Sequence, residues 1–224
     1  KIVYQGAEVI IHNLSIVYEE LGEHEKAIYY SKMSLDSTLL IHGKRSYEAV
    51  ITWASYANLL LNIGNLISAQ RIATYCITLF DKHKIKFDIC YSRLYFLLAR
   101  KYKLELNYSQ AHSAISESYK ILSIVYGENS IRTIPAIKFK ASIYHAQFDD
   151  ELELKELMKI YDIIQGPIRF VDHFGNGDIS SSHLMQEISQ NDFIECSIGI
   201  ANCLYNLKRY DSIPGYLQLA YNLL

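Results

Sequence analysis

The 224-residue sequence contains little of what breaks or cross-links a chain. It has three prolines and ten glycines, so long segments run without the residues that most often end a helix. Its four cysteines include no CxxC pair and are too few for a disulfide scaffold, which favours reduced thiols in an intracellular protein. Half of the residues are hydrophobic. We therefore expect a cytoplasmic protein that is stabilised by a buried apolar core.

The sequence also lacks an excess of charge of either sign and any long apolar run. Its 22 basic and 24 acidic side chains nearly cancel, which removes the electrostatic attraction typical of a dedicated nucleic-acid binder. No apolar run approaches the roughly 20 residues that a membrane-spanning helix needs, and the first residues lack the pattern of a secretory signal. We expect neither a nucleic-acid partner nor membrane insertion.

Sequence motifs of known catalytic chemistry are missing as well. We find no GxxxxGK[ST] phosphate loop, no GxSxG elbow, no HExxH helix and no Cys/His cluster at metal-ligand spacing. The acidic run from Asp149 to Glu153 lies where a helix is expected to begin, and negative charge is favourable beside the free backbone amides there. We interpret that run as a helix start. The sequence predicts no enzymatic activity, no catalytic residue, no metal site and no cofactor.

What the sequence does contain is a repeat with an interval of 42 residues. Apolar residues recur at the spacing of an α-helix, about every 3.6 residues, in segments separated by short polar breaks. Small residues recur at two registers: Ser15, Ala57, Ala99 and Ala141, and Ala27, Ala69 and Ala111. A fifth copy, with Ala201 in the first register, follows an excess of 18 residues. Helices that cross about 8 to 10 Å apart require such small side chains at the crossing.

These columns resemble the tetratricopeptide repeat (TPR). The second copy matches every column of that motif with Trp53, Tyr56, Ala57, Leu60, Gly64, Ala69, Ala73 and Cys76. The usual TPR interval is about 34 residues, so the longer interval resembles the subclass found in kinesin light chains. Lys140 in an apolar column and Glu153 in the alanine column depart from the motif. The resemblance implies an all-α fold, a right-handed superhelical solenoid of antiparallel helix pairs.

The repeat predicts how the chain is divided. We expect four helix pairs over residues 1–165, an insertion loop over 166–183 and a fifth pair over 184–224. The glycines, serines and proline of the insertion favour a loop, which either decorates a binding face or is tolerated surface variation. Leu106 stands where the first copies have glycine, so the third turn is expected to differ. The last copy has no polar capping helix, so we expect it to be part of a larger chain or complex.

The resemblance places function on the concave wall lined by the first helix of each pair. Positions assigned to this wall include His12, Ile16 and Glu19. The candidate partner-binding residues are Asn58, Asn62, Arg93, Phe96, Arg100, Lys103, Lys138, Ser142, His145 and Asn202. Because an arginine fork can hold a carboxylate, the four cations among them predict an acidic peptide or partner protein. A solvated charged face is the alternative interpretation for each of these residues.

The resemblance implies a non-catalytic scaffold or adaptor that binds a short acidic peptide or a partner protein in this groove. Two other functions remain open. One is a substrate-receptor arm of a ubiquitin ligase complex, and the other is a TPR lobe attached to an enzyme, such as a SET/MYND methyltransferase, or to a peptide-sensing bacterial regulator. Each needs a domain outside these residues, so the neighbouring domains would discriminate between them.

Overall fold

The computed structural model describes residues 6–82, 89–173 and 182–222, with the backbone alone for residues 82, 165–173 and 182–190. Across these ranges the chain forms ten α-helices and no strand. The helices are α1 (Ala7–Glu20), α2 (His24–His42), α3 (Tyr47–Asn62), α4 (Leu66–Lys82), α5 (Ile89–Leu104), α6 (Tyr108–Tyr126), α7 (Ile134–Ala146), α8 (Asp150–His173), α9 (Ser182–Asn206) and α10 (Ile213–Tyr221). Single 3₁₀ turns precede α7 and α10. None of the helices described is long and apolar enough to cross a membrane.

Consecutive helices pack as pairs within two compact units, residues 1–121 and 122–224. In the first unit α1 packs on α2 and α3 on α4, while α5 contacts α6 through Ser92 and Ser118, whose hydroxyls lie 2.9 Å apart. Further contacts join α2 to α3, α4 to α5 and α3 to α5. In the second unit α7 packs on α8, α8 on α9 and α9 on α10. The predicted all-α fold built from helix pairs is confirmed.

The recurring small residues lie in the core, as their spacing predicts. Each has at most 4% of its surface exposed: Ser15, Ala27, Ala57, Ala69, Ala99 and Ala111 in the first unit, and Ala141 and Ala201 in the second. Overpacking a close-packed position costs about 1 to 3 kcal/mol, so these sites do not accept larger side chains cheaply. The four cysteines are also buried and free. Burial raises the pKa of Cys76, Cys196 and Cys203 to about 12, so these thiols stay protonated at neutral pH.

Each of the five turns within a helix pair has one residue with a left-handed backbone. The φ angles are 74° at Gly22, 86° at Gly64, 59° at Leu106, 58° at Phe148 and 58° at Lys208. The expectation that the third turn differs is therefore wrong. The tight reversal of the chain requires a left-handed residue at this position. The turn therefore keeps the left-handed conformation even where the residue is not glycine.

A shared hydrogen-bond pattern explains why the turn does not change. After the second-copy turn the amide of Asn65 donates to the carbonyl of Leu60 at 2.8 Å, and after the third the amide of Asn107 donates to the carbonyl of Tyr102 at 2.9 Å. These bonds satisfy carbonyls that a helix end leaves without an intrahelical partner. The backbone bonds therefore hold Leu106 in a conformation that its side chain disfavours.

The ends of the predicted insertion loop belong to helices. α8 continues to His173 and α9 begins at Ser182, so 166–173 and 182–183 are helical, and 174–181 lie outside the described residues. α9 has 25 residues, whereas α7, another first helix, has 13. Glycine and proline lower helix propensity, but the flanking helical context can outweigh that cost.

The two departures from the TPR motif are compensated within the second unit. Lys140 forms an ion pair with Glu156 at 3.0 Å, and Lys159 contacts the other oxygen of Glu156 at 2.9 Å. Glu156 is only 4% exposed, so its charge needs these two partners. The Nδ1 atom of His145 lies 2.9 Å from a carboxylate oxygen of Glu153. A charged pair thus replaces the apolar contact that the motif has at Lys140.

Candidate partner-binding groove

The first helices of the first unit line a cavity of about 390 Å³, which we call the first-helix groove. Side chains from α1, α3 and α5 meet there. The residues that the sequence assigns to the inner wall and that line this cavity include His12, Ile16, Glu19, Asn58, Arg93, Phe96 and Arg100. Residues about one repeat apart therefore come together, because consecutive first helices lie side by side.

Arg100 is at the centre of a polar network in the first-helix groove. Its two terminal nitrogens donate hydrogen bonds to the side-chain oxygens of Asn58 at 3.1 Å and Asn62 at 2.9 Å. The amide nitrogen of Asn62 in turn donates to Glu19 at 2.5 Å. The guanidinium is therefore oriented by two neutral amides, and the carboxylate of Glu19 acts on it through Asn62.

The positive charge of the groove has no direct counter-ion in the part of the chain that the structure describes. There, no carboxylate forms an ion pair with Arg93 or Arg100. The Arg93 side chain is exposed on α5, and that of Arg100 is half-buried. Two like charges on one helix face raise the local potential, which an anionic ligand would lower.

Apolar surface lies beside these arginines. Phe96 is half-buried and lines the first-helix groove, and Ile16 on α1 is 40% exposed at the same groove. Lys103 lies in the last turn of α5, where the helix dipole favours a cation. Burial lowers the pKa of Lys103. Lys103 does not line the cavity, so it contributes to the field around the groove more than to its wall.

In the second unit the predicted cation Lys138 is neutralised by its own chain. Its ammonium group donates to Asp192 at 3.1 Å and to Glu195, both on α9. Burial would lower the pKa of Lys138, but the hydrogen bonds and charges of Glu195 and Asp192 raise it. We did not expect these two acidic partners, because they lie in the long α9, where the extra residues interrupt the repeat register.

The other three candidate partner-binding residues of the second unit are Ser142, His145 and Asn202. The Ser142 hydroxyl donates to the carbonyl of Phe139 at 2.7 Å, and His145 contacts Glu153. Asn202 is exposed on α9. This half of the predicted site therefore offers a ligand fewer uncompensated polar groups than the first-helix groove does.

One cluster in the second unit has the donor types of a metal site. Oxygen atoms of Asp150 and Glu153 and the sulfur of Cys203 lie within 4.8 Å of one another. Asp150 accepts a hydrogen bond from Asn206 at 3.0 Å, and Glu153 contacts His145. Burial, reinforced by the two carboxylates, raises the pKa of Cys203 to about 12, and a metal would need the thiolate. The arrangement is a hydrogen-bonded helix contact.

No protein-family model matches the chain, and no curated protein matches its sequence. Solved structures do share its fold. BtubC (BKLC) from P. vanneervenii has a TM-score of 0.77 and 13% identity, over 95% of this chain and 78% of BtubC. A kinesin-light-chain-like protein of Podosopora anserina with nearly identical TPR-like repeats has a TM-score of 0.72 and 10% identity, over 99% of this chain and 97% of that one.

A single-substitution variant of the Podosopora anserina protein gives a TM-score of 0.70 at 10% identity, over 98% of this chain and 96% of that one. At such identities the likeness shows the fold alone. The chain therefore has a TPR-like fold and resembles kinesin-light-chain-like repeat proteins, as the 42-residue interval predicts.

Proposed function

We propose that the chain is a non-catalytic, cytoplasmic interaction module whose first-helix groove binds a short acidic segment of a partner protein. The observation that carries this proposal is Arg100, whose guanidinium is held by Asn58 and Asn62 with no carboxylate in direct contact among the described residues. Arg93 adds a second cation to the same wall. A TPR-like fold is that of protein-interaction scaffolds, which supports the general role.

The groove chemistry suits a carboxylate next to an apolar side chain. A carboxylate of the partner would accept hydrogen bonds from the Arg100 or Arg93 fork, and charge-assisted bonds of this kind contribute about 1.5 to 3 kcal/mol each. The side-chain amides of Asn58 and Asn62 could then bond the partner's backbone. Phe96 and Ile16 provide apolar surface for a neighbouring side chain.

The proposed site is the first-unit set of Asn58, Asn62, Arg93, Phe96, Arg100 and Lys103. We expect Lys138, Ser142, His145 and Asn202 to contribute less, because the first three already contact groups of their own unit.

The test is a selection of random displayed peptides on the purified chain, repeated on a variant with Arg93→Glu and Arg100→Glu. We expect enrichment of peptides rich in Asp and Glu, and the variant should bind them about ten-fold or more weakly because attraction becomes repulsion. The matched control is Lys32→Glu with Lys155→Glu. These side chains are exposed on α2 and α8, and the control changes the net charge by the same amount.

Two results would contradict the proposal. One is that the enriched peptides show no excess of acidic residues. The other is that the Arg93/Arg100 variant and the control bind the selected peptides with equal affinity. Raising the salt concentration should weaken binding to the wild-type chain, since exposed charges are screened.

A further inference from the structure

A second cavity, of about 610 Å³, lies in the first unit between α2 and α4, and we call it the α2–α4 pocket. α3 provides its floor with Trp53, Tyr56 and Leu60, and Tyr75 of α4 forms part of one side. None of its lining residues lines the first-helix groove. The pocket is therefore a separate site on the same unit.

The floor of the α2–α4 pocket is aromatic. The ring centroid of Trp53 lies 6.4 Å from that of Tyr56 and 6.4 Å from that of Tyr75. Leu60 is buried beneath them. Within the described residues the indole N–H of Trp53, a half-buried side chain, donates no hydrogen bond. The pocket combines apolar ring surface with an unused donor.

The charge of the pocket is positive, although the chain as a whole has a net charge of −2. Lys44 and Arg71 line it, and both are exposed. Neither forms an ion pair with any carboxylate that the structure describes. No Asp or Glu is among its described lining residues. This charge pattern is complementary to an anionic group.

The shape of the pocket favours a chain segment over a small molecule. Its volume is within the range of ligand pockets, about 300 to 1,000 Å³. However, Lys44, Asn65 and Arg71 are exposed, and Tyr75 is 46% exposed, so one side is open to solvent. An enclosed site buries most of a small ligand, whereas an open groove between helices accepts side chains from a segment that lies across it.

We propose that the α2–α4 pocket is a second docking site, which takes a bulky apolar side chain from an acidic segment of a partner protein. The apolar side chain packs on Trp53 and Tyr56. A carboxylate next to it in the segment pairs with Lys44 or Arg71. This site is independent of the first-helix groove, so it can exist whether or not the groove binds a peptide.

The only tryptophan in the sequence, Trp53, lies in the pocket and reports its occupancy. The probe is a library of displayed peptides without tryptophan, selected on the variant with Arg93→Glu and Arg100→Glu to disable the groove. Enriched peptides are then synthesised and titrated while the fluorescence of Trp53 is recorded. We expect peptides with an aromatic or leucine residue flanked by acids, and a saturable change in emission.

The deciding comparison is Lys44→Glu with Arg71→Glu against the control Lys32→Glu with Lys155→Glu. The pocket variant should bind the peptides about ten-fold or more weakly, and the control should bind them as the parent does. Lys44→Gln with Arg71→Gln should give a smaller loss and serves if the first variant misfolds. The proposal is overturned if no peptide is enriched, if Trp53 does not respond, or if the pocket variants bind like the control. Failure of acidic peptides to bind the wild-type groove would instead count against the proposed function alone.

Discussion

Three residues occupy a backbone conformation that their side chains disfavour. Leu106, Phe148 and Lys208 have φ angles of 58° to 59°, where the Cβ atom of an L-residue crowds the following carbonyl oxygen. Gly22 and Gly64 occupy the same turn position without that cost. Phe148 is in addition 92% exposed, so its ring gains little from packing to offset the strain.

Replacing Phe148 with glycine should therefore stabilise the second unit. We expect Phe148→Gly to raise the free energy of unfolding by about 1 kcal/mol, since the strain of a left-handed residue is of that order. Urea unfolding followed by circular dichroism measures the change. Gly64→Ala is the reverse control and should lower stability, because a Cβ there meets no atom within 4 Å and adds backbone strain only. A decrease in stability for Phe148→Gly would contradict this account.

His12 is a second residue with an identifiable cost. Its Nδ1 atom is buried without a hydrogen-bond partner among the described groups, and burial lowers its pKa from the ordinary 6.5. The unfolded chain therefore binds more protons than the folded one as the pH falls through 6.5. Because folding favours the neutral form of His12, the free energy of unfolding is highest above pH 6.5 and decreases as the pH falls below it.

We expect His12→Gln to make stability less dependent on pH. Between about pH 7.5 and 5.5 the wild-type chain should lose more of its free energy of unfolding than the variant, because glutamine binds no proton in that range. Thermal or urea unfolding at both pH values measures the two losses. The other seven histidines are present in both chains, so they cancel in the comparison. Equal losses would show that His12 titrates normally in the folded state.

At the scale of helices, one short connection recurs between the two helices of a pair. After the left-handed residue, the next side chain caps the second helix: Asn65 accepts from the amide of Ser68 at 3.2 Å, and Asn107 from that of Gln110 at 3.3 Å. Asp149 does the same for Leu152 at 3.1 Å. Caps of this type contribute about 1 kcal/mol. The acidic run after Asp149 therefore functions as a helix start, as its position predicts.

The contact between α7 and α8 includes a buried ionic cluster at Lys140, a position that is apolar in the TPR motif. Lys140 and Lys159 both contact Glu156, which is almost fully buried. Removing one partner of a buried carboxylate leaves part of its charge uncompensated, which costs more than the pair itself contributes. Substitution of Lys140 or Lys159 is therefore expected to destabilise the second unit.

At the scale of the whole molecule, the chain divides into two compact units. Stability in repeat arrays is approximately a sum of local terms. A change in one unit should therefore affect that unit first. Trp53 lies in the first unit, so its fluorescence reports that unit alone, whereas circular dichroism reports the helices of both.

Lys140→Ala tests this division. We expect the variant to lose about 1 to 3 kcal/mol of stability in the second unit, less than for a fully buried pair because Lys159 still contacts Glu156. In urea unfolding followed by circular dichroism, the part of the signal that comes from the second unit should be lost at a lower urea concentration than in the wild-type chain. The urea midpoint of the Trp53 fluorescence transition should not change. The conservative variant Lys140→Arg keeps the positive charge, so its circular dichroism transition should shift less than that of Lys140→Ala. Equal shifts of both transitions would show that the chain unfolds as one cooperative unit.

The sequence alone was sufficient for the helix pairs and for much of the groove. Small residues such as Ala57 and Ala99 recur because helices cross closely there, and this requirement is local and periodic. The same register placed Arg93, Phe96 and Arg100 together on one wall. It did not reveal that Leu106 keeps the glycine turn, because the backbone hydrogen bonds that hold the turn do not depend on the side chain.

Only the tertiary structure shows which of the predicted cations has an acidic partner within the chain. Arg100 and Lys138 are both cations that the repeat register assigns to the inner wall, yet Arg100 contacts two neutral amides while Lys138 contacts Asp192 and Glu195. The aromatic α2–α4 pocket was likewise not predicted, since Trp53 occupies an ordinary core column of the motif. The physical reason is that repeat spacing determines which residues share a face. The electrostatic state of a side chain and the space left beside it depend on neighbours contributed by other helices.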